Sequence, residues 1–542
     1  MTAATPPRNE NSPWRARIGV GCFFGIFLLL GIRLTPDYGL YIDEFTNHVF
    51  GLTWLDYVHA IVFDGVPIGP LENVSTHDIV HGPVFEMALA WLGRDVWGIT
   101  DLREFVLFRH HATWLSFYGA TIVVYLMARR MGAHRVLAVF ASLLLILQPR
   151  IFSHAFYDSV DISFLAFYVV ATYTLIRYWD NRTWTMLTLH ALACALAISV
   201  RSIGGVIPAI TMAILVLEMW DQTAGRFTLR RHHLLRLGWI PFAVGIFTFA
   251  TWPFLWNHPI DRVLEVLRTT PQVGWGGTVL YRGEIVLATE LPWHYLPTWI
   301  LITSPVVALI LFSVGGLELL TAFVRRPLAT LKNRAIDLIA AATFAAPLAA
   351  VIILQAEVYD GWRHLFFIYP AMMLLAIRGL SHLLAWSRAC FSAPIAKRVR
   401  IGLLTFIALS LLPVVWNLVR LHPYQNVYFN RLAGPDLPTI KRHYELDFWG
   451  LSYIEALNYL VTLKPTGPLR IYHGDNSLLA INRYGLAPAD FDRIKPVEFA
   501  EADFVLCNYR TVRQGFPELE EIFSVEVANT KLTTLYRTHN TR

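Results

Sequence analysis

Apolar runs long enough to form membrane-crossing helices recur along most of this chain, separated by short polar connections. The first begins near Ile18 and continues through Val20, Phe23, Phe24, Ile26, Phe27 and Leu28 to Leu30, which suits one helical crossing of a hydrocarbon core about 30 Å thick. Further runs lie near 106–127, 136–149, 160–176, 185–200, 203–219, 237–252, 297–323, 336–354, 365–386 and 401–418, so the pattern predicts about eleven spans. Behind the first run the chain reads Ile32-Arg33-Leu34-Thr35-Pro36 instead of a small-x-small cleavage site. The segment is therefore expected to persist as an anchor.

The polar stretches have patterns of their own. Roughly seventy residues, Thr35 to Glu104, separate the first two spans, too many for a structureless loop. Phe45, Val49, Phe50, Trp54 and Leu55, followed by Tyr57, Val58, Ile61 and Val62, recur at helical spacing. They predict an amphipathic helix, lying along the interface or packed on the bundle. A second such stretch, Val84 to Leu92, follows the Gly82-Pro83 breaker. From His422 onward charge, Asn, Asp and Pro return, with a helical pattern at Ser452 to Leu463 and strand-like runs at Leu469 to Tyr472, Phe504 to Cys507, Ile522 to Val527 and Thr533 to Tyr536. Turns are predicted at Pro465-Thr466-Gly467 and Gly474-Asp475. The expected fold class is mainly α: a polytopic membrane bundle over residues 1–420, with outer loops 35–104 and 253–296, and a small soluble α/β domain over 421–542.

Composition agrees, since 55% hydrophobic and 15% charged residues over 542 positions, with a mean hydropathy of +0.46, exclude an ordinary soluble protein. Charge adds an orientation. Arg8, Arg15 and Arg17 precede the first span, and Arg129, Arg130 and Arg135, then Arg177 and Arg182, then Arg226, Arg230, Arg231 and Arg236, then Arg325, Arg326, Lys332 and Arg334, then Arg388, Lys397, Arg398 and Arg400 fall in alternate connections. Those connections are expected to stay inside, which makes the N-terminus cytoplasmic and puts the C-terminal domain outside. The net charge of +6 is spread over these loops, so no groove for nucleic acid is indicated. Cys22, Cys194, Cys390 and Cys507 form no pattern of a disulfide or thiolate metal site.

With this topology the candidate chemistry falls on one face. Asp43, Glu44, His81, His154, Asp158, Asp161, Arg201, Asp360, Arg363 and His364 all map to outer loops or outer span ends, where ionisable groups are costly unless they snorkel or face a wet cavity. Asp43 and Glu44 are adjacent, so one can face a cavity while the other turns away. The pair reads either as a general base for an acceptor hydroxyl or as the cap of the helix opening at Phe45. Asp158 and Asp161 either line the same cavity or occupy the cap and first turn of the fourth span. Arg201, in a tight turn between two apolar segments, and Arg363 with His364, at the start of the tenth, offer donors for a lipid phosphate; snorkelling is the plain alternative.

These residues, in this order, resemble the membrane-embedded C-type glycosyltransferases (GT-C) that use a polyprenyl-phosphate sugar as donor: protein O-mannosyltransferases, the aminoarabinose transferase of lipid A and the galacturonic acid transferases of the Rgt type. The features carrying the resemblance are the acidic pair after the first span, an acidic residue after the third, Ser199-Val200-Arg201-Ser202-Ile203-Gly204, and Arg363 with Pro370. The resemblance implies Asp43, with Glu44, as catalytic base or acceptor-binding carboxylate, Asp158 as a second cavity acid, and Arg201, Arg363 and His364 near the donor phosphate. His81-Gly82-Pro83 stands where the lipid A enzyme has Lys before Pro, which gives His81 a phosphate role as well. His154, Asp161 and Tyr295 are further cavity candidates, Tyr295 through an aromatic motif that either stacks on sugar or belts the interface. The implied reaction moves a sugar, with inversion at C1, onto a hydroxyl of a lipid, glycan or protein, on the periplasmic face of a bacterial inner membrane. The implied partners are membrane lipid, the donor lipid and an acceptor that the residues do not identify. No cofactor is indicated; a divalent cation is compatible, although no ligand cluster specifies one. The competing readings are a transporter or lipid flippase, for which broken helices in repeated halves are not evident, and a non-catalytic scaffold.

Overall fold

A computed structural model of the chain describes residues 13–67, 79–221, 226–227, 230–270, 275–474, 476–510 and 512–539. Arg8 and Asp475, invoked above for charge and for a turn, lie outside the described residues. Each of the eleven apolar runs coincides with helix, and the structure is mainly helical. Among the described residues, seven helices are long and apolar enough to cross a membrane, and Arg135–Ile146, Trp184–Ile198 and Ser202–Glu218 are shorter apolar ones. Leu102–Arg130 is longer still but carries Arg103, Glu104 and Arg109 near its start.

Local chemistry explains the ends. Asp101 opens Leu102–Arg130 by accepting the amide of Glu104 at 3.0 Å, and Thr183 opens Trp184–Ile198 by accepting that of Met186 at 3.3 Å, each satisfying a donor that the first turn leaves unpaired. The run read as a single span over 297–323 is broken into Tyr295–Thr303 and Val306–Arg325. Pro305 supplies no N–H and disfavours helix at the preceding residue, and Ser304 is extended, at ψ 150°. The carbonyls freed by this break are taken up by Asn430, whose side-chain amide donates to Leu301 and Ser304, each at 2.7 Å, and whose backbone N–H donates to Ile302 at 2.8 Å. Val306–Arg325 crosses Tyr369–Cys390 at backbone contact. A Cβ on Gly315 would meet the Leu375 carbonyl at 2.0 Å, and one on Gly379 the Leu311 carbonyl at 2.0 Å, so only glycine permits the approach.

The first outer connection contains the expected helix, Glu44–Val62, and a second, Val84–Ala90, that continues as a π turn over Trp91–Val96. The second outer loop holds the helix Pro259–Thr269 and a hairpin of Thr278–Tyr281 with Glu284–Leu287. At the C-terminal end a five-stranded sheet runs in the order 494–496, 469–472, 504–507, 530–537, 520–527, with Tyr453–Leu463 packed against it. Four of the strands were legible as apolar alternation. Ile494–Pro496 was not, being a three-residue edge strand ending in proline. Tyr424, Val427, Tyr428, Phe448, Trp449 and Leu451 belong to the core of the helical bundle, whereas the sheet domain's own core begins at Tyr453. The segment 421–452 therefore packs as part of the bundle and carries the sheet domain on it.

Candidate active site

One concavity at the end of the bundle that carries the two long loops, about 180 Å³ in volume, gathers residues that are far apart in sequence. Asp43 and Tyr41 enter from the first outer loop, His81 from the same loop beyond the amphipathic helix, Asp158 from the start of Ser159–Asp180, Arg201 from a turn, and Tyr359, Arg363 and His364 from the stretch before Tyr369–Cys390. His81 and Arg201 reach it together because their backbones form an antiparallel bridge, continued by Gly82 N–H to Val200 at 3.3 Å. A Cβ on Gly82 would lie 2.3 Å from the Ser199 carbonyl. The glycine read as a helix breaker is thus also what lets this strand dock.

The adjacent carboxylates have opposite environments. Asp43 lines the concavity and precedes the helix Glu44–Val62, but its side chain makes no capping hydrogen bond. Burial raises its pKa above the ordinary carboxylate value, and the Arg363 guanidinium offsets this only in part. Glu44 does not face the concavity. It is buried and accepts Arg109 Nε at 2.8 Å, with His110 Nε2 at 3.1 Å. Burial would raise Glu44, but His110 and Arg109 outweigh it and hold it below its usual value. Arg109 also donates to Glu86 at 2.7 Å and to Ser159 at 3.2 Å, and Ser159 donates to Glu86 at 2.5 Å. Glu44 is therefore corrected from a catalytic candidate to a member of a closed ion cluster behind the wall.

The second acidic pair also divides its roles. Asp158 caps Ser159–Asp180 by accepting the amide of Asp161 at 3.2 Å, and its other oxygen meets His154 Nδ1 at 2.8 Å. Burial and the neighbouring Asp161 charge raise Asp158 well above the carboxylate range, and burial lowers His154; the uncharged pair is favoured. Asp161, by contrast, binds both donor-side arginines: Arg201 Nη2 at 2.6 Å and Arg363 Nη1 at 3.1 Å. Arg363 stands over the Trp449 and Tyr359 rings at 4.7 and 5.1 Å, and Asp360 is 3.9 Å away. Among the described residues, the Nε atoms of Arg201 and Arg363 are both buried without a partner.

Asp161, His154 and Tyr295 are not on the wall; Asp161 holds the two arginines that are. His154 lies beneath it among Tyr157, Phe366 and Trp449, and the Tyr295 hydroxyl accepts the Gly361 amide at 3.0 Å. That bond pins a turn in which Asp360 and Gly361 both have positive φ, 57° and 78°; it sets where Arg363 emerges. Sequence reasoning missed Arg109, Glu86 and His110, and the role of Trp449. A signal existed for the first two, because Arg and Glu buried in membrane-depth helices call for each other as partners. Trp449 gave no signal, since its place depends on the 421–452 segment folding back. Among the described residues no three His, Cys, Asp or Glu side chains are grouped to hold a metal ion.

Residues 100–258 match the family described as dolichyl-phosphate-mannose-protein mannosyltransferase, one of the groups that the residue pattern resembles. Asp158, Asp161 and Arg201 fall inside this stretch; Asp43, His81, Arg363 and His364 fall outside it. Among solved structures the chain is similar to ArnT from Cupriavidus metallidurans bound to undecaprenyl phosphate, at 13% identity, covering 95% of this chain and 98% of that one with a TM-score of 0.44. It is also similar to the archaeal oligosaccharyltransferase AglB from Archaeoglobus fulgidus in complex with an inhibitory peptide and a dolichol-phosphate, at 14% identity, covering 90% of this chain and 62% of that one with a TM-score of 0.49. No curated protein sequence gives a significant match.

Proposed function

We propose that this multi-pass membrane protein is a glycosyltransferase that moves a sugar from a polyprenyl-phosphate carrier to a hydroxyl acceptor on the outer, periplasmic face, with inversion at C1. The observation that carries the reading is that one carboxylate, Asp43, with no side-chain capping bond, and two arginines, Arg201 and Arg363, line a single concavity. The family match over residues 100–258 supports the reaction class.

In this reading a carrier phosphate lies on the arginine side. Asp161 holds both guanidinium groups by one nitrogen each, and their remaining donors bind the phosphate oxygens. The acceptor hydroxyl approaches C1 from the face opposite the phosphate and gives its proton to Asp43 as the new C–O bond forms. The bond from C1 to the phosphate oxygen breaks, and its electron pair leaves with the carrier, which gains one negative charge. The arginines bind that charge more strongly than the ground-state diester, so they lower the barrier as well as holding the donor. Burial makes Asp43 a stronger base than a solvated carboxylate. His81 and His364 complete the wall as neutral or cationic donors to the same phosphate. A divalent cation bound with the carrier phosphate would add further charge stabilisation.

The test is transfer from a panel of radiolabelled polyprenyl-phosphate sugars in membranes containing the wild-type chain or Asp43→Asn, with a membrane extract as acceptor source. Label moved by wild type and lost in the variant is the expected result. Equal transfer by the variant removes Asp43 as base, and no transfer from any donor, with acceptor present, removes the reaction class.

A further inference from the structure

A second concavity, about 360 Å³ in volume, opens where the segment Pro438–Phe448 and the hairpin tip at Leu280 meet the sheet domain. Five cations line it: Lys441, Arg442, Arg510, Arg513 and Lys531. Two carboxylates face them. Asp447 is already bound by the Leu451 and Ser452 amides at 3.1 and 3.0 Å and by the Ser452 hydroxyl at 2.6 Å. Glu445, 4.0 Å from Arg510, is pushed by burial up to about 7, so much of its charge is absent near neutrality. The cations therefore outweigh the anions.

They also differ in how far they are satisfied. Arg510 is tied to Asp360 at 2.9 Å and to the Phe448 carbonyl at 2.9 Å, Lys531 is paired with Glu521 at 2.5 Å, and Lys441 donates to the Lys531 carbonyl at 2.7 Å while standing 3.3 Å over the Tyr509 ring. Arg442 and Arg513 have no side-chain hydrogen bond or ion pair among the described residues. Arg513 is half-buried, and burial lowers its pKa. Cations gathered in a partly desolvated recess repel one another, and a bound anion relieves that repulsion. The recess is joined to the candidate active site through one carboxylate: Arg510 bonds to Asp360, which stands 3.9 Å from Arg363.

We infer that this recess binds an anionic group, phosphate or carboxylate, carried by the acceptor, and so anchors the acceptor with its hydroxyl towards Asp43. The identification of the anion's bearer as the acceptor rests on the glycosyl-transfer reading; the anion binding does not. Arg442 and Arg513 then favour a single compact anion over a neutral sugar, while the charge on Asp447 and the remaining charge on Glu445 disfavour a larger one.

Calorimetric titration of the full-length protein in lipid nanodiscs with glucose 6-phosphate, glucuronate and glucose tests this without any donor or transfer. Saturable binding of one or both acids, none of glucose, and at least a tenfold weakening in Arg442→Gln/Arg513→Gln at an unchanged thermal midpoint are the expected results. The acid that binds more tightly tells phosphate from carboxylate. If the double variant is unstable, Arg513→Gln alone is read against Arg513→Lys, which keeps the charge and is expected to bind like wild type. No saturable acid binding by wild type, or equal binding by the charge-removing variants, overturns the inference. Acid binding without transfer from any donor keeps the recess and sinks the transferase reading; transfer that depends on Asp43, with no acid binding, does the reverse.

Discussion

Two arginine–carboxylate clusters lie at the outer end of this bundle, and they differ in one respect that matters for function. Around Arg109 each guanidinium nitrogen has a partner: Nε on Glu44, Nη1 on Glu86 and Nη2 on Ser159, all buried. Around Asp161 each carboxylate oxygen holds one arginine, Arg201 or Arg363, but among the described residues the Nε atoms of both arginines lack partners, and both side chains border a concavity. A closed cluster has nothing left to offer a ligand, so its worth is the position it imposes on the helices it joins. An open one retains donors, and retained donors in a recess are what an anion binds. The same residue types at the same depth thus carry different roles according to how completely they are matched.

The comparison can be broken or sharpened by experiment. The largest effect is expected at Asp43, the carboxylate left unmatched on the open side: Asp43→Asn should lower transfer by about 10²–10⁴-fold, the usual contribution of a general base, with the protein still folded. Next, Arg363→Ala should lower kcat by roughly 10²–10³-fold, as loss of a preorganised charge donor does elsewhere, and a transfer assay alongside carrier-phosphate binding would separate this from a loss of fold. Arg109→Met should act on the fold instead, because it strands Glu44 and Glu86 in a buried site; removing one partner of such a pair costs about 3–5 kcal/mol, measurable as a lower thermal midpoint. If Arg109→Met kept full stability and lost only transfer, the division between the clusters would fail.

The smallest effect is in pH dependence. Asp43 must be ionised to accept a proton, and its pKa is raised, so transfer should fall on acidification from a higher pH than the usual carboxylate value of about 4. The folded-state pKa of Glu44 is depressed; its contribution to stability is present above its unfolded value and lost only as pH falls through the lower folded one. Activity should therefore be lost at a higher pH than the ion pair of Glu44 with Arg109. Coincident losses, followed by transfer rate and by tryptophan fluorescence, would contradict the separate environments.

Much of this was legible without the structure, and the gaps have identifiable causes. The eleven apolar runs mark helices because segments of that length and composition bury their backbone polar groups in their own hydrogen bonds. The interruption at Ser304-Pro305 was missed because the surrounding residues are as apolar as the rest of the run, and the break is tolerated through Asn430 and Gln148, each more than a hundred positions away. Asp43, His81, Asp158, Arg201, Arg363 and His364 do border one concavity, as one-sided polarity predicts. Glu44, His154, Asp161 and Tyr295 do not, since each is claimed by a partner: Arg109, Asp158, Arg201 with Arg363, and Gly361.

By itself the sequence determined that the chain is a helical membrane bundle with a small sheet domain and that its ionisable residues collect at one end, because hydropathy and charge act on segments and need no partner to be read. Only the tertiary structure decided which of two adjacent carboxylates faces the concavity and which arginines stay open. Asp43 and Glu44 have nearly the same chemistry and neighbouring positions, and nothing local distinguishes them. The difference is made by Arg109, His110, Asp161 and Arg363, charges brought in by other helices, whose proximity is a property of packing alone.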